Sequence, residues 1–232
     1  MQLQTSKTLD ALKIETWHSP CYTVGLRRLL VGEDLLSNIT AAILAGGKSS
    51  RMGSDKSFAV LNNKSIFQYV LNCIRELGIP TILITNSPDK YATYALPMYQ
   101  DSVPDQGALG GLYTAIQKSE TDFTLCVACD MPFLNVNLLK YLLQLCTPDW
   151  DVVVPRIGER PEAIHAVYRK TCLEAIKAQL AAGKLKASGF FNQVRVCYVD
   201  EEVIRQFDPD LRSFMNVNTP DDLETAHKLM KG

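Results

Sequence analysis

The chain has 232 residues, 47% of them hydrophobic and 21% charged, with a formal net charge of −1. That is enough for one α/β domain with a full core. So even a balance gives no general attraction to nucleic acid or a membrane surface, and any anion site has to be local. No apolar stretch approaches the roughly 20 residues of a membrane-spanning helix. Residues 1–39 are mixed and polar, with Arg27, Arg28 and only a short apolar piece from Leu29 to Val31. Lacking a contiguous apolar region, they are no secretory signal. They read as an N-terminal extension of unassigned role before a domain at 40–232.

That domain begins with an apolar run, Ala41 to Ala45, which stops at Gly46-Gly47 and is followed within ten residues by Lys48, Arg51 and Lys56. A buried parallel strand feeding an anion-binding loop has this pattern. Glycines let backbone N–H groups approach a phosphate with no Cβ in the way, and the cations neutralise its charge. Two better-known phosphate motifs are excluded. A P-loop needs glycine where Ala42 stands, and no G-x-G-x-x-G is present.

Downstream, Ser65-Ile66-Phe67-Gln68 predicts a capping box, and Ile66, Val70, Cys73 or Ile74, and Leu77 recur at helical spacing until Gly78. Thr81 to Thr85 is a short β-branched strand, and a third strand near Met98-Tyr99-Gln100 ends at Asp101. Gly110-Gly111 open a helix to about Lys118. Phe123 to Cys129 is a strand ending at Asp130, and Asn135 to Cys146 a helix. Further strands are expected at Asp151–Pro155, Ile164–Tyr168 and Val194–Val199. A helix through Leu173, Ile176 and Leu180 stops at Gly183, and a last one has Thr219 as N-cap and Pro220 at its first position. Strands alternating with helices predict an α/β fold: a doubly wound, mostly parallel, Rossmann-like sheet with helices on both faces, in a single domain.

Ligands of such sheets bind at the carboxyl ends of the strands. Here those ends offer Gly46-Gly47, the polar pair Thr85-Asn86, Asp101 and Asp130. A carboxylate just past a buried strand is costly unless paired or bound to a cation, and Mg²⁺ is usually held by one or two carboxylates plus substrate phosphates. Asn216 and Asn218 are two apart, so on an extended segment both amides face one ligand. Seven scattered cysteines suit reduced thiols in a cytosol. Cys126 and Cys129 are three apart on a strand, so they point to opposite faces and hold no common metal.

From Leu44 to Lys56 the chain resembles, without a mismatch, the signature L-A-G-G-x-x-x-R-M-G-x-D-K of the molybdenum cofactor nucleotidyltransferases, and is most similar to their guanylyltransferase branch. Cys129-Asp130-Met131-Pro132-Phe133 resembles the family's metal-binding C-D-x-P-F/Y segment. Phe214 to Pro220 resembles its F-x-N-x-N-T-P. Gly107-Ala108-Leu109-Gly110-Gly111 departs from G-P-L-x-G by the missing proline. Pro161 to Tyr168, flanked by Arg156, Arg160 and Arg169-Lys170, resembles the acceptor-side stretch, with Glu162-Ala163-Ile164-His165 departing from it. His165 reads as packed or hydrogen-bonded rather than catalytic.

The resemblance implies GMP transfer from GTP to a molybdopterin acceptor, with molybdenum-enzyme maturation proteins as further partners and no nucleic acid or membrane. It implies Mg²⁺ on Asp130 with Asn218 as a carbonyl ligand, and Lys56 and Arg51 on the triphosphate. The nucleotide would be met by backbone groups of Leu44, Ala45, Gly46 and Gly47, by Thr85 and Asn86, by Asp101, and by Asn216. The expected location is cytoplasmic. A cytidylyltransferase on the same acceptor, a sugar-phosphate nucleotidyltransferase, and a nucleotide-binding cofactor carrier without turnover stay open as alternatives.

Overall fold

The computed structural model describes residues 36–46 and 56–231. The extension before residue 36 lies outside them, as do Gly47, Lys48, Arg51 and the side chain of Lys56. β1 (Ile39–Ala45) is buried along nearly its whole length, as a central parallel strand must be. A 3-10 turn, Lys56–Phe58, leads to the hairpin β2 (Val60–Leu61) and β3 (Lys64–Ser65). Asn62 and Asn63 make its turn at φ 44° and 67°, the left-handed pair that a tight hairpin favours and asparagine tolerates. This hairpin was not expected from the sequence.

Helix α1 (Ile66–Arg75) starts at the expected capping box: Ser65 Oγ accepts the Gln68 N–H, and Gln68 Oε1 accepts the Ser65 N–H. β4 (Thr81–Thr85) and β5 (Met98–Tyr99) follow, then α2 (Gly107–Lys118), β6 (Phe123–Ala128) and α3 (Val136–Gln144). β7 (Val152–Ile157), β8 (Arg160–Pro161) and β9 (His165–Arg169) precede α4 (Cys172–Ala181), and Gly183 past its end has φ 67°. β10 (Val196–Asp200), α5 (Glu201–Phe207) and α6 (Pro220–Leu229) complete the order.

The main sheet runs β10-β7-β9-β6-β1-β4-β5, with β8 paired to β7. It is mostly parallel and doubly wound, as expected, apart from two antiparallel strands. β9 is antiparallel to both neighbours, β6 and β7. The cause is local: no helix separates β7 from β9, so the chain turns at Gly158 (φ 54°) and returns beside itself. Along β1, Ala41 and Ile43 face one core, with α1, α3 and α5, while Ala42 and Leu44 face the other, with α2 and α4. Cys126 and Cys129 fall in opposite cores as expected. Five cysteines, at 73, 126, 129, 146 and 172, are free thiols. Cys197 is disulfide-bonded and departs from the expectation of reduced thiols throughout. A third apolar cluster, Leu61, Ile66, Val217 and Ala226, ties the hairpin to α6 and to the segment before it.

Candidate nucleotide site

Strand register brings the expected strand ends to one edge. Ala45 lies beside Thr85, and Leu44 beside Ala128. One step further, the Cys129 N–H donates to the Leu44 carbonyl at 3.1 Å, which continues the ladder to the residue before Asp130. Gly46, just past β1, is exposed, and a Cβ added there would meet nothing within 4 Å. Its backbone is open to a ligand. Ser57 Oγ and Cys129 Sγ are 3.2 Å apart, so the turn that begins at Lys56 sits beside the end of β6. Gly47, Arg51 and the Lys56 side chain lie outside the described residues.

Asp130 is 7% exposed in the turn after β6. Its backbone carbonyl accepts the Val217 N–H at 2.9 Å. This bond carries the segment Asn216 to Asn218 to the same edge. Val217 is buried in the third cluster, between half-buried Asn216 and exposed Asn218, the alternation of an extended segment. The segment is also held from behind. Asp222 Oδ2 accepts the N–H groups of Asn218 and Thr219 at 2.9 and 2.8 Å, and Thr219 Oγ1 accepts the Asp222 N–H, completing the cap of α6.

On the β4 side, Asn86 Oδ1 accepts the Asp101 N–H at 3.0 Å and so joins two strand ends. Thr85 is buried, and its hydroxyl accepts the Ser87 N–H at 3.2 Å, which holds the turn. Asp101 Oδ1 accepts the Val103 N–H at 3.1 Å and the Thr114 hydroxyl at 2.9 Å. Thr114 had no signal in the sequence: it stands thirteen residues from Asp101, and only the docking of α2 brings them together.

The acceptor-side residues divide. β9 is antiparallel, so His165 is at the site edge opposite Val127, while Arg169 is at the far edge opposite Phe123. Arg169 Nε donates to Asp122 Oδ2 at 2.8 Å there, and the Lys170 N–H donates to the Asp122 carbonyl. Arg156 and Arg169-Lys170 flank the segment Pro161 to Tyr168 in the chain, but the antiparallel strand puts the two flanks at opposite edges of the sheet. Arg156 is at the site edge, bonded to Asp200 at 2.9 and 2.7 Å and stacked 4.8 Å over Tyr198. Glu162 is paired with Arg160 at 3.3 Å, and burial raises its pKa against that pairing. His165 is packed, as expected: fully buried, with its ring 4.7 Å from Phe214. Burial lowers its pKa to about 4, although Asp208 and the Ser213 backbone favour the charged form.

A strand-end glycine beside a carboxylate on the neighbouring parallel strand lies where open α/β sheets take their ligands, at the carboxyl edge of the sheet. Comparison with known proteins gives the class. The chain belongs to the MobA-like NTP transferase domain family, whose model matches residues 41–196. It is 31% identical to the molybdenum cofactor guanylyltransferase of Desulfosudis oleivorans, over 83% of this chain and 96% of that one. It is 33% identical to the one from Syntrophotalea carbinolica, over 80% and 89%. The crystal structure of molybdopterin-guanine dinucleotide biosynthesis protein A from Archaeoglobus fulgidus matches with a TM-score of 0.73 at 25% identity, covering 83% of this chain and 98% of that one. At 12% identity and a TM-score of 0.64, 4-diphosphocytidyl-2C-methyl-D-erythritol synthase from Anaerococcus prevotii shares the fold alone, over 86% of this chain and 100% of that one.

Proposed function

We propose that the chain transfers GMP from GTP to the terminal phosphate of molybdopterin carrying molybdenum, releasing pyrophosphate. The observation that carries the reading is the Val217–Asp130 backbone bond, which sets Asn216 and Asn218 beside a nearly buried carboxylate at the edge where β1 ends. The guanylyl branch is supported by the names of the relatives. Arg51 and Lys56 would hold the triphosphate. Backbone groups from Leu44 to Gly47, with Asn86, Thr85, Asp101 and Asn216, would hold the nucleoside.

The residues present fit a magnesium ion. Among the described residues no group of three or more His, Cys, Asp and Glu side chains forms a metal cage. Mg²⁺ needs none, because substrate phosphates complete its shell. The Asp130 carboxylate and the Asn218 side-chain carbonyl are hard oxygen donors of the right kind. Bound there, the ion supplies positive charge for the phosphates. The protein's own residues position the reactants. An oxygen of the acceptor phosphate attacks the α-phosphorus in line, one P–O bond forms, and the bond to the β-phosphate breaks. Positioning and electrostatics suffice, and no protein nucleophile takes part. No described helix is long and apolar enough to cross a membrane.

Competition tests the base. With molybdopterin acceptor, magnesium and equal GTP and CTP, the product should carry GMP. A guanine pocket presents acceptors to N1–H and N2–H, and such a site can reject the wrong base by around 10⁴. Predominant CMP attachment refutes the guanylyl reading, and no pyrophosphate release with either nucleotide leaves a carrier.

A further inference from the structure

We propose that Thr114 is a positioning residue for the nucleotide, acting through Asp101. The inference rests on the reading that Asp101 meets the nucleotide. Thr114 lies inside α2 with no exposed surface. Its hydroxyl oxygen accepts the Ser102 N–H at 2.9 Å, and it is 2.9 Å from Asp101 Oδ1 and 3.0 Å from the Gly110 carbonyl. A hydroxyl has one proton to give, and a carboxylate is the stronger acceptor. Thr114 therefore pins both the backbone after Asp101 and the carboxylate itself.

The other groups around Asp101 act in the same sense. Its N–H is held by Asn86, and Oδ1 also accepts from Val103. Oδ1 is thus committed to two donors, and Oδ2 is the oxygen left to meet a ligand. Oδ2 lies against Gly110: a Cβ built there would fall 3.1 Å from it, 3.0 Å from Gln106 Cβ and 2.9 Å from the Val103 carbonyl. Real Cβ atoms essentially never approach backbone oxygen so closely. The absent side chain at 110 and the hydroxyl at 114 together fix one orientation of the carboxylate. Holding a polar group in place before the ligand arrives spares the ordering cost on binding.

The test uses the full chain and GTP alone in a binding titration, followed by steady-state kinetics with acceptor. Thr114→Val keeps the shape and removes the hydroxyl. It should weaken GTP binding roughly tenfold, the scale of one hydrogen bond to a charged group. Thr114→Ser should restore it, and the KM for the acceptor should stay put. Gly110→Ala is the second variant; its Cβ would meet both Oδ2 and the Val103 carbonyl, so the loop after Asp101 must shift, and with folding checked by circular dichroism it should weaken GTP binding more than acceptor binding. Asp101→Ala is the control. If it leaves GTP binding unchanged, the underlying placement of Asp101 fails. If Asp101→Ala weakens GTP binding but Thr114→Val and Gly110→Ala do not, the positioning role is overturned. Equal loss of GTP and acceptor affinity in these variants would also overturn it, because that is general damage.

Discussion

At Asp130 the backbone and the carboxylate can be tested apart. Its carbonyl holds the Val217 N–H, and alanine keeps that bond. Its carboxylate is nearly buried and is the group proposed to hold the metal. Asp130→Ala keeps the Val217 bond, so it should stay folded and, on the proposed metal role, lose at least about a hundredfold in turnover, because a bound ion supplies several kcal/mol of charge stabilisation. Comparing thermal unfolding with pyrophosphate release checks both halves; near-normal magnesium-dependent release would remove Asp130 from the metal site. At this scale the sequence was informative wherever a residue's role follows from its place on a strand. Gly46, Asn86, Asp101 and Asp130 all end parallel strands, so pattern alone brought them to one edge. Thr114 was illegible because its partner is reached through space, and the edge at which Arg169 sits was illegible because strand direction is not written in the residue itself.

Among elements, the local signals were readable and the direction of one strand was not. The caps of α1 and α6 and the end of α4 at Gly183 sit where Ser65, Thr219 and glycine chemistry put them. β9 looks like any other apolar strand, and only the short return through Gly158 makes it antiparallel. The far edge is where these elements are fastened. Asp151, just before β7, accepts from Arg195 through its backbone N–H at 3.0 Å, Nε at 2.9 Å and a terminal nitrogen at 2.8 Å, and from Thr171 at 2.7 Å. One carboxylate thereby joins the starts of β7, β10 and α4. The Arg195 guanidinium beside it, with these hydrogen bonds, holds its pKa well below the usual carboxylate range. In Asp151→Asn an amide N–H₂ must face one of these donors whichever way it is turned. The expected loss is about 2 kcal/mol of stability, with the KM for GTP unchanged because the clamp is at the edge away from the site. A denaturant titration with kinetics on the same sample decides it, and a raised KM would show that the two edges communicate.

For the whole molecule, acid stability should come in two windows that belong to different groups. A buried histidine with a lowered folded pKa binds its proton in the unfolded chain first. The folded value for His165 is about 4 against an ordinary 6.5. Between those values the unfolded state holds the extra proton, so stability falls as pH falls, by about 1.4 kcal/mol per unit and about 3 kcal/mol across the window. Glu162 opposes this just above its ordinary value, because burial raises its folded pKa and favours the protonated fold. The observed slope should therefore flatten toward pH 4.5. Asp151 acts lower. Its folded pKa is depressed from 3.8, so its contribution is complete above that value and is lost as pH falls through the folded one. His165→Leu keeps an apolar group against Phe214 and removes the proton site. Urea unfolding from pH 7.5 to 4.5 should show the wild type losing stability below pH 6.5 and the variant nearly level. Equal slopes in both proteins would mean that His165 reaches solvent and protonates in the fold, contrary to its burial beneath Phe214.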